Sequence, residues 1–368
     1  MPPETNPIMQ LLAKTVEWDA SDLHLQSEFV PYTRIQGNLR PIECRPLHRA
    51  ELDAFVEQIL DDRHRRLYSE RGSVDVAYAL SKRIRFRVNV YQQRGTTSIA
   101  FRLIDNNIKS IAQLHLPPAI EQIANNRRGI ILVTGPAGSG KSTTLAAMLD
   151  HINQTRADHI VTVEDPIEYM HDNKKSLIEQ REIGQDAHDF NIALMHMLRQ
   201  DPNVILIGEI RDLETVVMSI RAALTGHLVM STLHTIGAIQ TLIRLLQYYQ
   251  REEREAVRDE LSLAMRAVVS QRFVPGKDGQ RVPNVEIMVT RGVIPKLLRE
   301  ERYDDIIQAM KTREHGMQTF DQSLVGLYKA GLITMEAGES HADDAGTFKR
   351  MATGGFASDD RGSIIAEL

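Results

Sequence analysis

The chain has little of what several function classes require. Among 368 residues there is one cysteine, Cys44, and one tryptophan, and aromatic residues make up 5%. A single cysteine excludes a disulfide within the chain and a tetracysteine zinc site built from it alone, and it suits a reducing cytoplasm. No stretch approaches the roughly 20 apolar residues that cross a bilayer. The opening MPPETNPIMQLL has neither a basic n-region nor a long apolar core, so any membrane contact is expected to be peripheral. Charge of one sign is also scarce: 44 basic residues against 49 acidic give a net charge of −5. That balance exerts no global pull toward nucleic acid, and no nucleic-acid partner is expected. What is present is an ordinary globular composition, 42% hydrophobic and 25% charged, in a chain long enough for two cored domains.

The most informative stretch is GIILVTGPAGSGKS, Gly129 to Ser142. Ile130 to Val133 lack polar alternation and suit a central parallel strand covered on both faces. The run then breaks into Gly135, Pro136, Ala137, Gly138, Ser139, Gly140, Lys141, Ser142 and Thr143, which contain the complete phosphate-binding loop pattern. The three glycines can take the positive φ angles that let successive N–H groups converge on one anion. From Lys141 the sequence becomes helical, which places the phosphates at a helix N-terminus. Lys141 is expected to reach the β- and γ-phosphates of ATP, and Ser142 to bind Mg²⁺.

Ahead of this loop, Asn6-Pro7 opens a helix that buries Ile8, Leu11, Leu12 and Val16. Short alternating strands follow from Ser21, and helical periodicity returns at Glu51–Leu60. In KRIRFRVNVY, Ile84, Phe86, Val88 and Val90 alternate with Arg83, Arg85, Arg87 and Asn89, and Ile99–Leu103 repeats the pattern with Arg102. One face is core; the other is an arginine ladder, either solvated or aimed at phosphate oxygens. His24 lacks partners at metal-ligand spacing and reads as structural. The polar run from Asp105 to Ser110 is the expected domain boundary.

Beyond the loop, the apolar strands His159–Val163 and Val204–Ile207 end in Glu164-Asp165 and Gly208-Glu209. Carboxylates at the carboxyl ends of parallel strands lie where such sheets bind ligands. Gly208 stands where an aspartate ordinarily holds the metal, so Glu164 or Asp165 is the substitute, and Glu209 can deprotonate or orient water. A fourth strand, LVMSTLHT, ends in His234, placed to sense a γ-phosphate or to be satisfied by backbone groups. Thr319 with Gln322 forms a capping box.

Together SDLHL, RFRVN, GPAGSGKSTTLAAMLD, IVTVEDPIEY, VILIGEIRDLET and TGHLVMSTLHT resemble the type IV pilus retraction ATPases, the PilT and PilU group of the secretion ATPase superfamily. The resemblance covers Ile8 to Ile333. It implies an α/β chain with a PAS-like α+β N-terminal domain over residues 1–107 and a RecA-like P-loop ATPase domain over 108–335. It also implies a homohexamer on the inner face of the cytoplasmic membrane, working on a pilus platform protein, with a PilT-type motor as a further partner. Lys141, Ser142 and Thr143 become phosphate and Mg²⁺ ligands, Glu209 the catalytic glutamate and Glu164 a carboxylate of the aspartate box. His227 and His234 become the histidine-box pair, and Arg85, Arg87 and Arg102 nucleotide contacts. Val293 to Glu300, with Pro295, departs from the AIRNLIRE segment of PilT, and GMQTFDQSLVGLYKAGLI is closer to PilU. The alternatives are a pilus-assembly or type II secretion ATPase and a non-enzymatic ring scaffold. Residues 336–368, rich in Gly, Asp and Ser, are expected to form a weakly ordered tail.

Overall fold

A computed structural model describes residues 6–35, 37–81, 84–104 and 107–354. Arg83, the boundary residues Asp105 and Asn106, and the chain beyond 354 lie outside the described residues. Two compact units emerge, one of residues up to Asn107 together with Glu168–Met170, the other of Ile108–Ile167 and His171 onward.

The first unit begins with α1 (Pro7–Glu17), where the Asn6 side chain accepts from the Ile8 N–H at 2.9 Å and Pro7 sits in the first turn. Strands β1 (Asp22–Gln26), β2 (Tyr32–Ile35) and β3 (Asn38–Pro41) follow. Next come α2 (Arg49–Ile59), α3 (Asp62–Arg71), β4 (Ser73–Ala79), β5 (Arg85–Gln93) and β6 (Thr96–Leu103). They form one antiparallel sheet in the order β3-β2-β1-β6-β5-β4. Alternation decides its faces: Leu23, Leu25, Phe86, Val88, Val90, Ile99 and Phe101 pack with Ile8, Leu12, Leu52 and Phe55 into one core. Arg87 and Arg102 are direct cross-strand neighbours on the opposite face, and Arg102 is opposite Asp22.

The second unit runs α4 (Ala119–Ala124), β7 (Gly129–Thr134), α5 (Lys141–Thr155), β8 (His159–Glu164), β9 (Leu177–Glu182) and α6 (Phe190–Met197). It continues with β10 (Val204–Ile207), α7 (Leu213–Leu224), β11 (Leu228–Leu233), α8 (Ala238–Gln247), α9 (Arg254–Ala264), β12 (Met265–Pro275) and β13 (Arg281–Val289). Helices α10 (Ile294–Arg299), α11 (Tyr303–Lys311), α12 (Phe320–Lys329), α13 (Met335–His341) and α14 (Ala345–Ala352) complete it. The sheet order is β13-β12-β7-β11-β10-β8-β9, with every neighbouring pair parallel except β12 and β13. Every residue of β7, β10 and β11 is buried, as expected of central strands covered on both faces. Because these strands are parallel, Thr134, Glu164, Ile207 and Leu233 all end at one edge of the sheet.

Within the stretch 336–368 expected to be weakly ordered, the described residues form α13 and α14 as far as Ala352. Thr334 caps the first, accepting from the Ala337 N–H at 3.1 Å, and Asp344 caps the second, accepting from the Thr347 N–H at 3.0 Å. Phe348 is fully buried against Val274, Val282 and Leu324. Gly338 permits this, since a Cβ there would lie 2.1 Å from the Phe348 ring. A segment's polar composition does not register two caps and one large apolar anchor. Pro295 lies in the first turn of α10, so it starts that helix rather than bending it.

Candidate active site

The loop after β7 is shaped by its glycines. Gly135 has φ +144° and Gly140 φ +89°, and a Cβ on Gly135 would lie 2.2 Å from the Gln271 carbonyl oxygen of β12. No side-chain-bearing residue fits at that approach. Gly140 precedes α5 without any side-chain cap, and α5 has no acid in its first turn, which leaves the positive end of the helix facing the loop. Lys141 is buried, and its Nζ donates to the carbonyls of Gly135 and Pro136, each at 3.1 Å. Ser139 is buried with its hydroxyl unpartnered. A folded-back cation, an orphaned hydroxyl and a turn of converging amides together fit a phosphate chain. Ser142 and Thr143, half-buried, open the helix beside them.

The acids stand at the same edge. Glu164, the last residue of β8, is buried; its Oε1 accepts from the Thr162 hydroxyl at 2.7 Å and from the Gln180 amide at 3.2 Å. Asp165 is exposed and 3.4 Å from Arg211. Glu209 is gripped on both oxygens: Oε1 by Arg211 and Oε2 by His234 Nε2 at 3.2 Å. Its backbone is equally constrained. Thr232 donates its hydroxyl to the Gly208 carbonyl at 2.8 Å, and its own carbonyl accepts from Ile210 N at 3.1 Å. Gly208 carries no acid, and a Cβ there would meet Glu164 Cα at 3.4 Å. The arrangement can hold an acceptor carboxylate rigidly beside a phosphate cradle, the requirement for activating water.

Several expected residues fall elsewhere. His227 immediately precedes β11, where its carbonyl accepts from Gly129 at the entry of β7 and its Nδ1 lies 2.9 Å from the Ala222 carbonyl. Parallel strands put this entry edge opposite the loop, so six strand residues, roughly 20 Å, separate His227 from His234. Within the chain His227 closes the turn after α7, at the edge of the sheet opposite the phosphate loop. In the first unit Arg102 donates to Asp22 at 2.8 Å, and Arg34 is 3.7 Å from the same carboxylate. Burial pushes the Asp22 carboxyl up, but hydrogen bonds from Ser21 and Arg102 outweigh it and leave the pKa below its ordinary value. Arg87 is exposed, 4.0 Å from Asp75, and Arg85 is half-buried. Arg211, which bridges Glu209 and Asp165, escaped the sequence reading, although its place two residues after a strand-end acid was a usable signal. Among the described residues no cluster of His, Cys, Asp and Glu could hold a metal alone, and no helix is long and apolar enough to cross a membrane.

Comparison with known proteins bears on this geometry. The family model described as type II/IV secretion system protein matches residues 3–331. The chain is 41% identical over 330 residues to the type IV pilus retraction ATPase PilT of Pseudomonas aeruginosa, covering 89% of this chain and 96% of that protein. It is 36% identical over 352 residues to the type IV pilus ATPase PilU of the same organism, covering 95% of this chain and 92% of the other. A crystal structure of the pilus retraction motor PilT with bound ADP superposes with a TM-score of 0.86 at 39% identity, covering 93% of this chain and 99% of that one. On a match that runs through both sheets and the phosphate loop, this mixed α/β chain belongs to the type II/IV secretion system protein family.

Proposed function

We propose that this chain is an ATP-hydrolysing motor that drives type IV pilus retraction as a homohexamer. The observation that carries it is the pairing, at one sheet edge, of a phosphate loop with a carboxylate held by His234 and Arg211. Support comes from identity to a retraction ATPase along nearly its whole length and from the bound ADP of the structural relative. The proposal gives the N-terminal unit a PAS-like fold and the second a RecA-like one. Gly135 to Thr143 bind the phosphates, with Lys141 exchanging its loop carbonyls for them. Glu209 takes the proton of the attacking water while His234 holds its second oxygen. Ser142 with Glu164 or Asp165 would hold Mg²⁺, which neutralises phosphate charge when bound. Arg85, Arg87 and Arg102 are further phosphate ligands; Arg102 must then leave Asp22. The partner is a pilus platform protein at the inner face of the cytoplasmic membrane, met without a membrane span.

A second reading, an accessory ring that assists a PilT-type motor, is favoured by the reach of the PilU match, which covers 95% of the chain against 89% for PilT. Steady-state ATP hydrolysis by the full-length protein, with its mass in solution, separates the two. Glu209→Gln is expected to keep nucleotide binding and to slow turnover at least ~100-fold, the usual worth of a positioned base. Near-normal turnover in that variant would refute Glu209 as the base. A hexamer that binds ATP but barely hydrolyses it without a second motor would favour the accessory reading.

A further inference from the structure

Glu164 is a buried acid at the end of a strand whose own hydroxyl neighbour, Thr162, supplies one hydrogen bond. Its second donor comes from another strand. In the parallel pairing of β8 with β9, Thr162 is opposite Gln180 and Glu164 is opposite Glu182. Thr162, Glu164 and Gln180 therefore share one face of the sheet. Gln180 Nε2 donates to Glu164 Oε1 at 3.2 Å, and Gln180 Oε1 accepts from the backbone N–H of His171 at 2.8 Å.

The two ends of this amide are not interchangeable. A backbone N–H can only donate, so it requires the oxygen of Gln180 and turns the NH₂ toward Glu164. The His171 ring does not supply a competing charge, because burial pushes its pKa down to about 4, leaving it neutral. The amide thus has one orientation, and that orientation presents a donor to the carboxylate.

We propose that Gln180 is the positioning residue of Glu164: oriented by the His171 N–H, its amide nitrogen fixes the carboxylate that takes part in ATP hydrolysis. This rests on the reading of Glu164 as a member of the active site. The effect of Gln180 is exerted through the pose of Glu164.

Gln180→Glu tests this on the full-length protein. It is nearly isosteric and keeps an oxygen for the His171 N–H, so a merely structural role survives, but it presents an acceptor to Glu164 where a donor was. The expected result is a kcat lowered roughly tenfold or more, the scale of one hydrogen bond to a charged group. ADP affinity should be unchanged and the Mg²⁺ concentration for half-maximal rate raised. Gln180→Leu, which removes the donor without adding charge, should show the same pattern and decides the matter if Gln180→Glu does not fold. Wild-type kinetics in the folded variants while Glu164→Gln is inactive would overturn the role of Gln180 alone. Wild-type kinetics in Glu164→Gln as well would overturn the underlying reading of Glu164.

Discussion

Glu286 offers a prediction whose sign reverses with the substituent. It lies on β13 opposite Ser270, and its Oε1 accepts from Ala238 N at 2.7 Å, the first residue of α8. Gly237, which precedes that helix, has no side chain to cap it, and a Cβ there would stand 3.4 Å from the same Oε1. Glu286 thus caps, from β13, a helix that begins four residues after His234. Burial raises its pKa from 4.5 to about 7, with Asp343 adding to the rise and the Ala238 hydrogen bond and Arg272 opposing it. A folded-state value above the unfolded one means that the folded chain binds the extra proton, so this group's contribution is fullest below pH 4.5 and is lost as pH rises toward 7. A rise of that size corresponds to about 3 kcal/mol.

Glu286→Gln keeps an oxygen for Ala238 and never ionises. It should match the wild type near pH 4 and exceed it near pH 8 by an amount approaching ~3 kcal/mol, reduced by whatever the new amide N–H groups fail to bond. Glu286→Ala should instead fall below the wild type near pH 4 by about 1 kcal/mol, the cost of a lost cap. Urea unfolding of the nucleotide-free protein across that pH range reads both. A separation between wild type and Glu286→Gln that stays constant with pH would refute the argument, since a titrating group must make it grow.

Gly135→Ala forces a Cβ to within 2.2 Å of the Gln271 carbonyl and places alanine at φ +144°. We expect a loss of ~1–3 kcal/mol in stability from the strained backbone alone, together with weakened ADP binding measured by calorimetry; unchanged binding would mean that the loop shifts away from β12. Phe348→Ala empties the fully buried anchor of α14 and should cost about 3–5 kcal/mol. Proteolysis near residue 340 should then outpace cleavage elsewhere, and protection equal to the wild type would show that the anchor is dispensable.

What was legible in the sequence follows from how far apart the cooperating residues stand. Strands β7, β8, β10 and β11 are short apolar runs, and such runs read as covered central strands because nothing alternates. Their ends then locate Glu164, Glu209 and His234 without any knowledge of the partners. Edge strand β9 is LIEQRE, with polar residues on both sides and indistinguishable from a loop by periodicity, so Gln180 gave no signal. The histidine box shows what spacing alone does not: His227 and His234 are close in sequence, but a strand advances ~3.3 Å per residue, and a parallel sheet sends its two ends to opposite edges. Sequence proximity is evidence of spatial proximity across a turn and evidence against it along a strand. Glu164 and the amide that donates to it lie on different strands, so a motif that is contiguous in sequence reports the first and misses the second. Glu164 is visible as a strand-end carboxylate, whereas its alignment depends on the register of β8 with β9, which only the folded sheet specifies.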